Sequence, residues 1–174
     1  MTFLNNLWAK IRAWIIKIDS WPTPKYPERT REELATKFGK DVVAFSLWME
    51  KNIWYSDHVK EWQTPEKILK TGVTGCAGFA ILSFWVLKEM GAKDVKCLWL
   101  TFTNGKEHMI TVFKGFEIDR WMWFSNGELH TGWPTSTLQS IAEDAAKSCY
   151  KHFDYEEGGL SGGAELKEWK EIFH

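Results

Sequence analysis

Apolar residues recur at helical spacing through the first half of the chain and alternate with polar ones through much of the second. Leu4, Leu7, Trp8, Ile11, Trp14, Ile15 and Ile18 mark an amphipathic helix over residues 3–18, with Asn5, Asn6, Lys10 and Lys17 on the opposite side. Prolines at 22, 24 and 27 exclude helix or central strand there, so residues 21–27 read as an extended connector. Thr30 followed by Glu33 has the form of a capping box and opens a helix that runs to about Phe38 and ends at Gly39. Asp41 caps the next helix, to about Asn52. Ile53 to Asp57 breaks it, and Thr64 with Pro65 starts a short third one. The stretch Thr71 to Ala80 reads as a glycine-rich turn that delivers Cys76 to the first turn of a helix. Phe79, Ala80, Leu82, Trp85, Val86 and Met90 keep that helix's period, and Gly91 ends it.

Beyond Gly91 the period falls to two. Residues 95–102, 107–113 and 116–121 read as strands, with Asn104-Gly105 and Asn126-Gly127 as hairpin-type turns. Thr135 to Cys149 reads as a helix, residues 157–163 as a glycine-rich loop, and Ala164 to Phe173 as a last helix. The expected fold class is α+β, with helices first, then an antiparallel sheet, and the Cys76 helix packed on that sheet. The expected organisation is a single domain over 1–174: N-terminal helices and connector in 1–40, a core in 41–133, and a helical extension in 134–174.

Composition narrows the partners. The 22 basic and 23 acidic residues leave no basic field of the kind nucleic-acid binding needs. The three cysteines, Cys76, Cys97 and Cys149, lack the even number and paired spacing of a disulfide framework or zinc site. A reducing, cytoplasmic setting is the simpler expectation, because residues 3–18 carry too much charge for a membrane span and lack a signal-peptide pattern. That helix is expected to dock on the domain; weak membrane-surface contact through residues 3–18 is the competing reading. The 12 tryptophans carry large apolar area, so many are expected in the core and some to line a groove or a contact surface.

A thiol at a helix N-terminus is favoured as thiolate, the nucleophilic form. A base must take its proton, and that base needs an orienting group. His108, near the start of one strand, and Asp119, near the end of the next, supply both types in order. The other histidines, at 58, 130, 152 and 174, fall in polar or loop-like stretches and read as solvated. The arrangement predicts a Cys76–His108 ion pair, with alkylation already fast near pH 6. The segments 54–62 and 121–124 flank these residues in sequence and are expected to line an elongated groove beside the thiol.

Residues 53–121 resemble the core of the transglutaminase-like superfamily, with its papain-like arrangement and bacterial cysteine-proteinase members. The matching residues are Tyr55-x-Asp57, Trp62-x-Thr64-Pro65-Glu66, Gly75-Cys76-x-x-Phe79-Ala80, His108 before Met109-Ile110-Thr111-Val112, and Ile118-Asp119. The chain departs from the family pattern beside the cysteine: Thr74-Gly75 stands where many members have Gly-Asp, and Ala77 and Gly78 stand where many have acids. The resemblance implies Cys76 as nucleophile, His108 as base and Asp119 as orienter, with no metal or organic cofactor. The oxyanion hole would use the Cys76 N–H and an upstream donor, with Gln63, Tyr55, Trp62 and Gly75 as the candidate oxyanion or substrate-binding residues. The implied function is a thiol-dependent amide or peptide hydrolase, or an acyl transferase, acting on a protein or peptide through an acyl thioester. The alternative is a catalytically inactive module of the same fold that binds a peptide or glycan.

Overall fold

The computed structural model describes residues 24–59, 61–101, 107–117, 119–133, 136–152 and 167–168. The readings for the 3–18 helix, the 103–106 turn and the 157–163 loop lie outside the described residues.

The first helix, α1 (Arg31–Phe38), carries the complete capping box. The Glu33 N–H donates to Thr30 Oγ1 at 3.2 Å, and the Thr30 and Arg29 N–H groups donate back to the Glu33 carboxylate at 3.2 and 2.6 Å. Thr30→Ala is therefore expected to destabilise the fold by about 1 kcal/mol, read as a lower denaturant midpoint with an unchanged slope. Helix α2 (Val42–Asn52) follows, with the Asp41 carboxylate accepting from the Ala44 N–H at 2.9 Å. A two-residue strand β1 (Trp54–Tyr55) comes next, then α3 (Pro65–Thr71), which has Thr64 as its cap, Pro65 in its first turn and Gly72 in the left-handed region at φ 68°. Strand β2 (Val73–Thr74) pairs in parallel with β1 and leads into α4 (Cys76–Glu89).

The second half is antiparallel. Strands β3 (Lys93–Thr101), β4 (Glu107–Lys114), β5 (Trp121–Ser125) and β6 (Glu128–Thr131) precede α5 (Leu138–His152). A two-residue β7 (Lys167–Glu168) pairs with β3 at Leu98 and Trp99, where a last helix was expected. The sheet order is β6-β5-β4-β3-β7.

Alternation gives the sheet two apolar faces. Phe113 and Phe124 meet Phe79, Leu82 and Val86 of α4 together with Phe45 and Met49 of α2. Leu98, Leu100, Ile110, Val112 and Trp123 meet Ile141, Ala142, Ala145 and Ala146 of α5. Helix α4 is covered on most sides, which explains its nearly continuous apolar sequence. The expected α+β layout, with the cysteine helix packed on an antiparallel sheet, is the one present.

The third strand differs from expectation. It runs over Trp121–Ser125 rather than 116–121, because the Gly115 N–H donates to the Arg120 carbonyl at 3.2 Å and closes a loop between them. Asn126 and Gly127, at φ 49° and 92°, then form the turn into β6, a strand the sequence pattern did not mark. Two positive φ values in a two-residue loop match the strand twist of a hairpin. Among the described residues no helix is long and apolar enough to cross a membrane.

Candidate active site

The lead-in to Cys76 is fixed by backbone pairing. The Trp54 N–H donates to the Gly72 carbonyl at 2.8 Å, and the Ser56 N–H to the Thr74 carbonyl at 2.9 Å. The two glycines of the turn act differently. Gly72 needs its left-handed conformation, whereas Gly75 sits at φ −91°, open to any residue. Gly75 is small because a Cβ there would lie 2.8 Å from the Val59 carbonyl oxygen. Close packing of the 56–59 loop, rather than backbone freedom, selects glycine.

Cys76 is half-buried, and the backbone amides of Met109, of Ala77 and of its own residue act on its thiol. Those amides favour the thiolate. Burial opposes them more strongly, the Glu107 charge adds to burial, and the thiol pKa is raised above its ordinary value. The Met109 amide lies in β4 next to His108, but alternation sets the His108 side chain with Ile110 and Val112 on the α5 face, away from α4. The thiol and the imidazole are not hydrogen-bonded to each other among the described contacts.

His108 is buried, and its Nε2 lies 3.0 Å from Ser125 Oγ. Burial alone pushes the imidazole down to about 4. Both directions run against the expected ion pair, since burial favours the neutral form of the thiol and of the imidazole alike.

Asp119 is not beside His108. It is exposed and paired with Lys114 Nζ at 2.7 Å, and this hydrogen bond and charge lower its carboxyl while raising the Lys114 ammonium. Lys114 is the last residue of β4 and His108 its second, so six residues, about 20 Å of strand, separate the two. The 115–120 loop that displaced the third strand also carries Asp119 to the far end of the sheet.

Among the other candidates, Gln63 is buried and its Oε1, an acceptor, has no hydrogen-bond partner among the described residues. Tyr55 and Trp62 are exposed, and Trp62 stacks on Trp99 at 6.0 Å between ring centroids with planes 5° apart. Of the segment 121–124, Trp123 and Phe124 are core residues, so that flank does not form the expected groove wall. Ser125 was not singled out from sequence. The Asn126-Gly127 turn was the available signal, because a strand ending at it brings residue 125 toward the start of β4.

The fold and site define an α+β protein with a cysteine at the N-terminus of a helix packed on an antiparallel sheet. No family model matches the sequence, and no curated protein matches it. Solved structures of LapG from Legionella pneumophila are similar. The calcium-bound form has a TM-score of 0.43, another LapG structure 0.44 and an EGTA-treated form 0.42, each 17% identical to this chain and covering 69% of it. The shared region covers 65%, 64% and 63% of those LapG chains. Likeness at this level does not define the reaction.

Proposed function

We propose that the protein is a thiol-dependent acyl-transfer enzyme of the transglutaminase-like kind, acting on an amide of a protein or peptide, with its catalytic core in residues 41–133. The observation that carries this reading is a half-buried free thiol in the first position of a helix packed on the sheet, with the Met109, Ala77 and Cys76 amides acting to favour its thiolate. Preorganised donors of this type stabilise negative charge on sulfur, and on the carbonyl oxygen of a substrate attacked by it. In the proposed cycle the Cys76 thiol gives its proton to His108, which has to turn from the α5 face to receive it, as the sulfur attacks the carbonyl carbon. His108 returns that proton to the leaving amine, and the acyl group remains on Cys76 as a thioester. Water then releases it as an acid, or a second amine takes it as a new amide. Gln63, through its Nε2–H, is the proposed second oxyanion donor upstream of the thiol.

A second reading, a non-catalytic module for a peptide or glycan, is favoured by one observation. The carboxylate expected to stabilise the imidazolium is committed to Lys114, while aromatic side chains at Trp54, Tyr55 and Trp62 stay exposed.

The two readings separate in an active-site labelling experiment, in which the thiol displaces a carboxylate from the probe and becomes a thioether. Native protein is incubated with a peptidyl acyloxymethyl ketone, and the adduct is located by intact mass and peptide mapping. An enzyme is expected to give one adduct on Cys76, none in Cys76→Ala, and a rate reduced roughly a hundredfold or more in His108→Ala. Equal rates in wild type and His108→Ala would select the binding module.

A further inference from the structure

We propose that Trp62, Trp99 and Glu107 form a subsite beside Cys76 that takes a positively charged side chain, arginine or lysine, of a peptide ligand. The inference deepens the reading of Cys76 as nucleophile, and rests on it for calling that ligand a substrate. Strand alternation sorts the residues. Leu98, Leu100, Ile110 and Val112 pack toward α5, so Trp99, Glu107 and Met109 belong to the other face, where the Thr111 hydroxyl donates to the Ala80 carbonyl of α4 at 2.6 Å. The register sets Trp99 opposite Met109 and Thr101 opposite Glu107. Directly opposed residues come within side-chain contact. Cys76 meets the same strand, because the Met109 amide and the Glu107 charge both act on its thiol. The lead-in approaches from the other side. A Cβ on Gly75 would lie 2.8 Å from the Val59 carbonyl oxygen, and three residues beyond Val59 the Trp62 indole stacks on Trp99 at 6.0 Å. Thiol, carboxylate and stacked indoles are thereby gathered at one end of the α4 face.

The groups gathered there call for a cation. Glu107 is exposed and forms no ion pair among the described residues. Lys67, on α3, is held by Glu61 at 2.7 Å, and Lys114, at the far end of β4, by Asp119 at 2.7 Å. Trp62 stays 42% exposed although it is stacked, so indole surface faces solvent beside the carboxylate. Indole faces attract ammonium and guanidinium groups, and a nearby negative charge adds to the attraction. Gln63, next in the chain, is 4% exposed, and its Oε1 acceptor has no partner among the described residues. A buried acceptor of this kind wants an N–H, and a guanidinium carries five. A cation would also act on the thiol. Burial is the main influence that keeps Cys76 neutral, and the Glu107 charge adds to it. A guanidinium seated on Glu107 offsets that charge, so the occupied site favours the thiolate more than the empty one does.

The test compares two blocked peptides, acetyl-Gly-Arg-Gly amide and its citrulline counterpart, which keeps the shape of the side chain without its charge. Calorimetric titration of the full chain carrying Cys76→Ala, which turns neither peptide over, is expected to show the arginine peptide binding roughly tenfold tighter at low salt. The difference is expected to shrink as salt is raised. Glu107→Gln is expected to remove most of it, Glu107→Lys to reverse it, and Trp62→Leu to weaken the arginine peptide roughly threefold. Asp119→Asn, which removes an exposed carboxylate at the far end of β4, is expected to leave it as it is. Both Glu107 and Trp62 are exposed, so these variants keep the fold. Acyloxymethyl ketones built on the same two peptides are expected to label wild-type Cys76 with a similar preference for arginine. Equal affinity for the two peptides, or a preference that survives Glu107→Gln, overturns the subsite. So does tighter binding of a phenylalanine peptide or a simple sugar, which would make the indole pair a neutral stacking platform. If the charge preference appears and follows Glu107 while no ketone labels Cys76, the subsite stands and the enzymatic reading fails. If the two ketones label Cys76 at equal rates, the enzymatic reading stands and the subsite fails.

Discussion

Alkylation of native Cys76 by iodoacetamide is expected to be slow at pH 6 and to climb tenfold with each pH unit, roughly a thousandfold by pH 9. The thiolate is the reacting form, and the Cys76 pKa lies above its ordinary value because burial outweighs the opposing effect of the nearby backbone amides, with the Glu107 charge adding to burial. The sign follows for each group separately. An acid whose pKa is raised stays neutral through the whole range below that pKa, so little thiolate exists at pH 6. A base lowered to about 4 is protonated only below that value, so at pH 6 there is no imidazolium at His108 to hold a thiolate in place. An ion pair would instead give a rate already near its plateau at pH 6. A flat profile from pH 6 to pH 9 would therefore refute the neutral resting pair. Cys97, whose thiol is pushed up to about 12 by burial against a weaker opposing hydrogen bond from Thr111, is expected to label more slowly than Cys76 throughout.

The helical half was legible because its signals are local. Thr30 with Glu33, Asp41, and Thr64 with Pro65 each satisfy or replace helix N–H groups within one turn, and all three mark real helix starts. The Cys76 helix was legible for the same reason: a glycine turn before it, a helical apolar period within it and Gly91 after it. The site was less legible, because it depends on strand register. Residues 116–121 alternate as a strand does, and nothing local says that Gly115 and Arg120 close a loop instead. That slip placed Asp119 beside His108, when the register that starts at Trp121 carries it to Lys114. A serine at the end of a strand has no chemical signature of its own. Ser125 becomes meaningful only once β5 is known to end at Asn126-Gly127. The aromatic residues divide on the same grounds: Trp54, Tyr55 and Trp62 sit on the exposed lead-in to the site, while Trp123 and Phe124 alternate into the two cores on either side of the sheet.

Gly78→Ala is expected to destabilise the protein by about 2 kcal/mol net and to lower the melting temperature by about 6 °C. Gly78 lies in the first turn of α4, where alanine ordinarily adds up to about 1 kcal/mol of helix stability over glycine. Here a Cβ would run into the Thr74 hydroxyl, with Thr74 Cβ at 2.9 Å and Ile68 Cδ1 at 3.2 Å behind it. Thr74 is 1% exposed and held by β2, and Ile68 is fully buried in α3, so neither side chain swings away. Overpacking of this kind costs about 3 kcal/mol, which outweighs the propensity gain and fixes the sign. Thr74→Ala in the same chain removes the hydroxyl but keeps the Cβ, so it is expected to recover about 1 kcal/mol of the loss, a coupling readable from a double-mutant cycle. The strain also reaches the site. Pushing the first turn of α4 off β2 moves Cys76 relative to the Met109 amide, so Gly78→Ala is expected to raise the thiol pKa further and to slow labelling of Cys76 at pH 8. A Gly78→Ala protein as stable as wild type, with unchanged labelling, would show that the α3–β2–α4 packing is looser than these distances require.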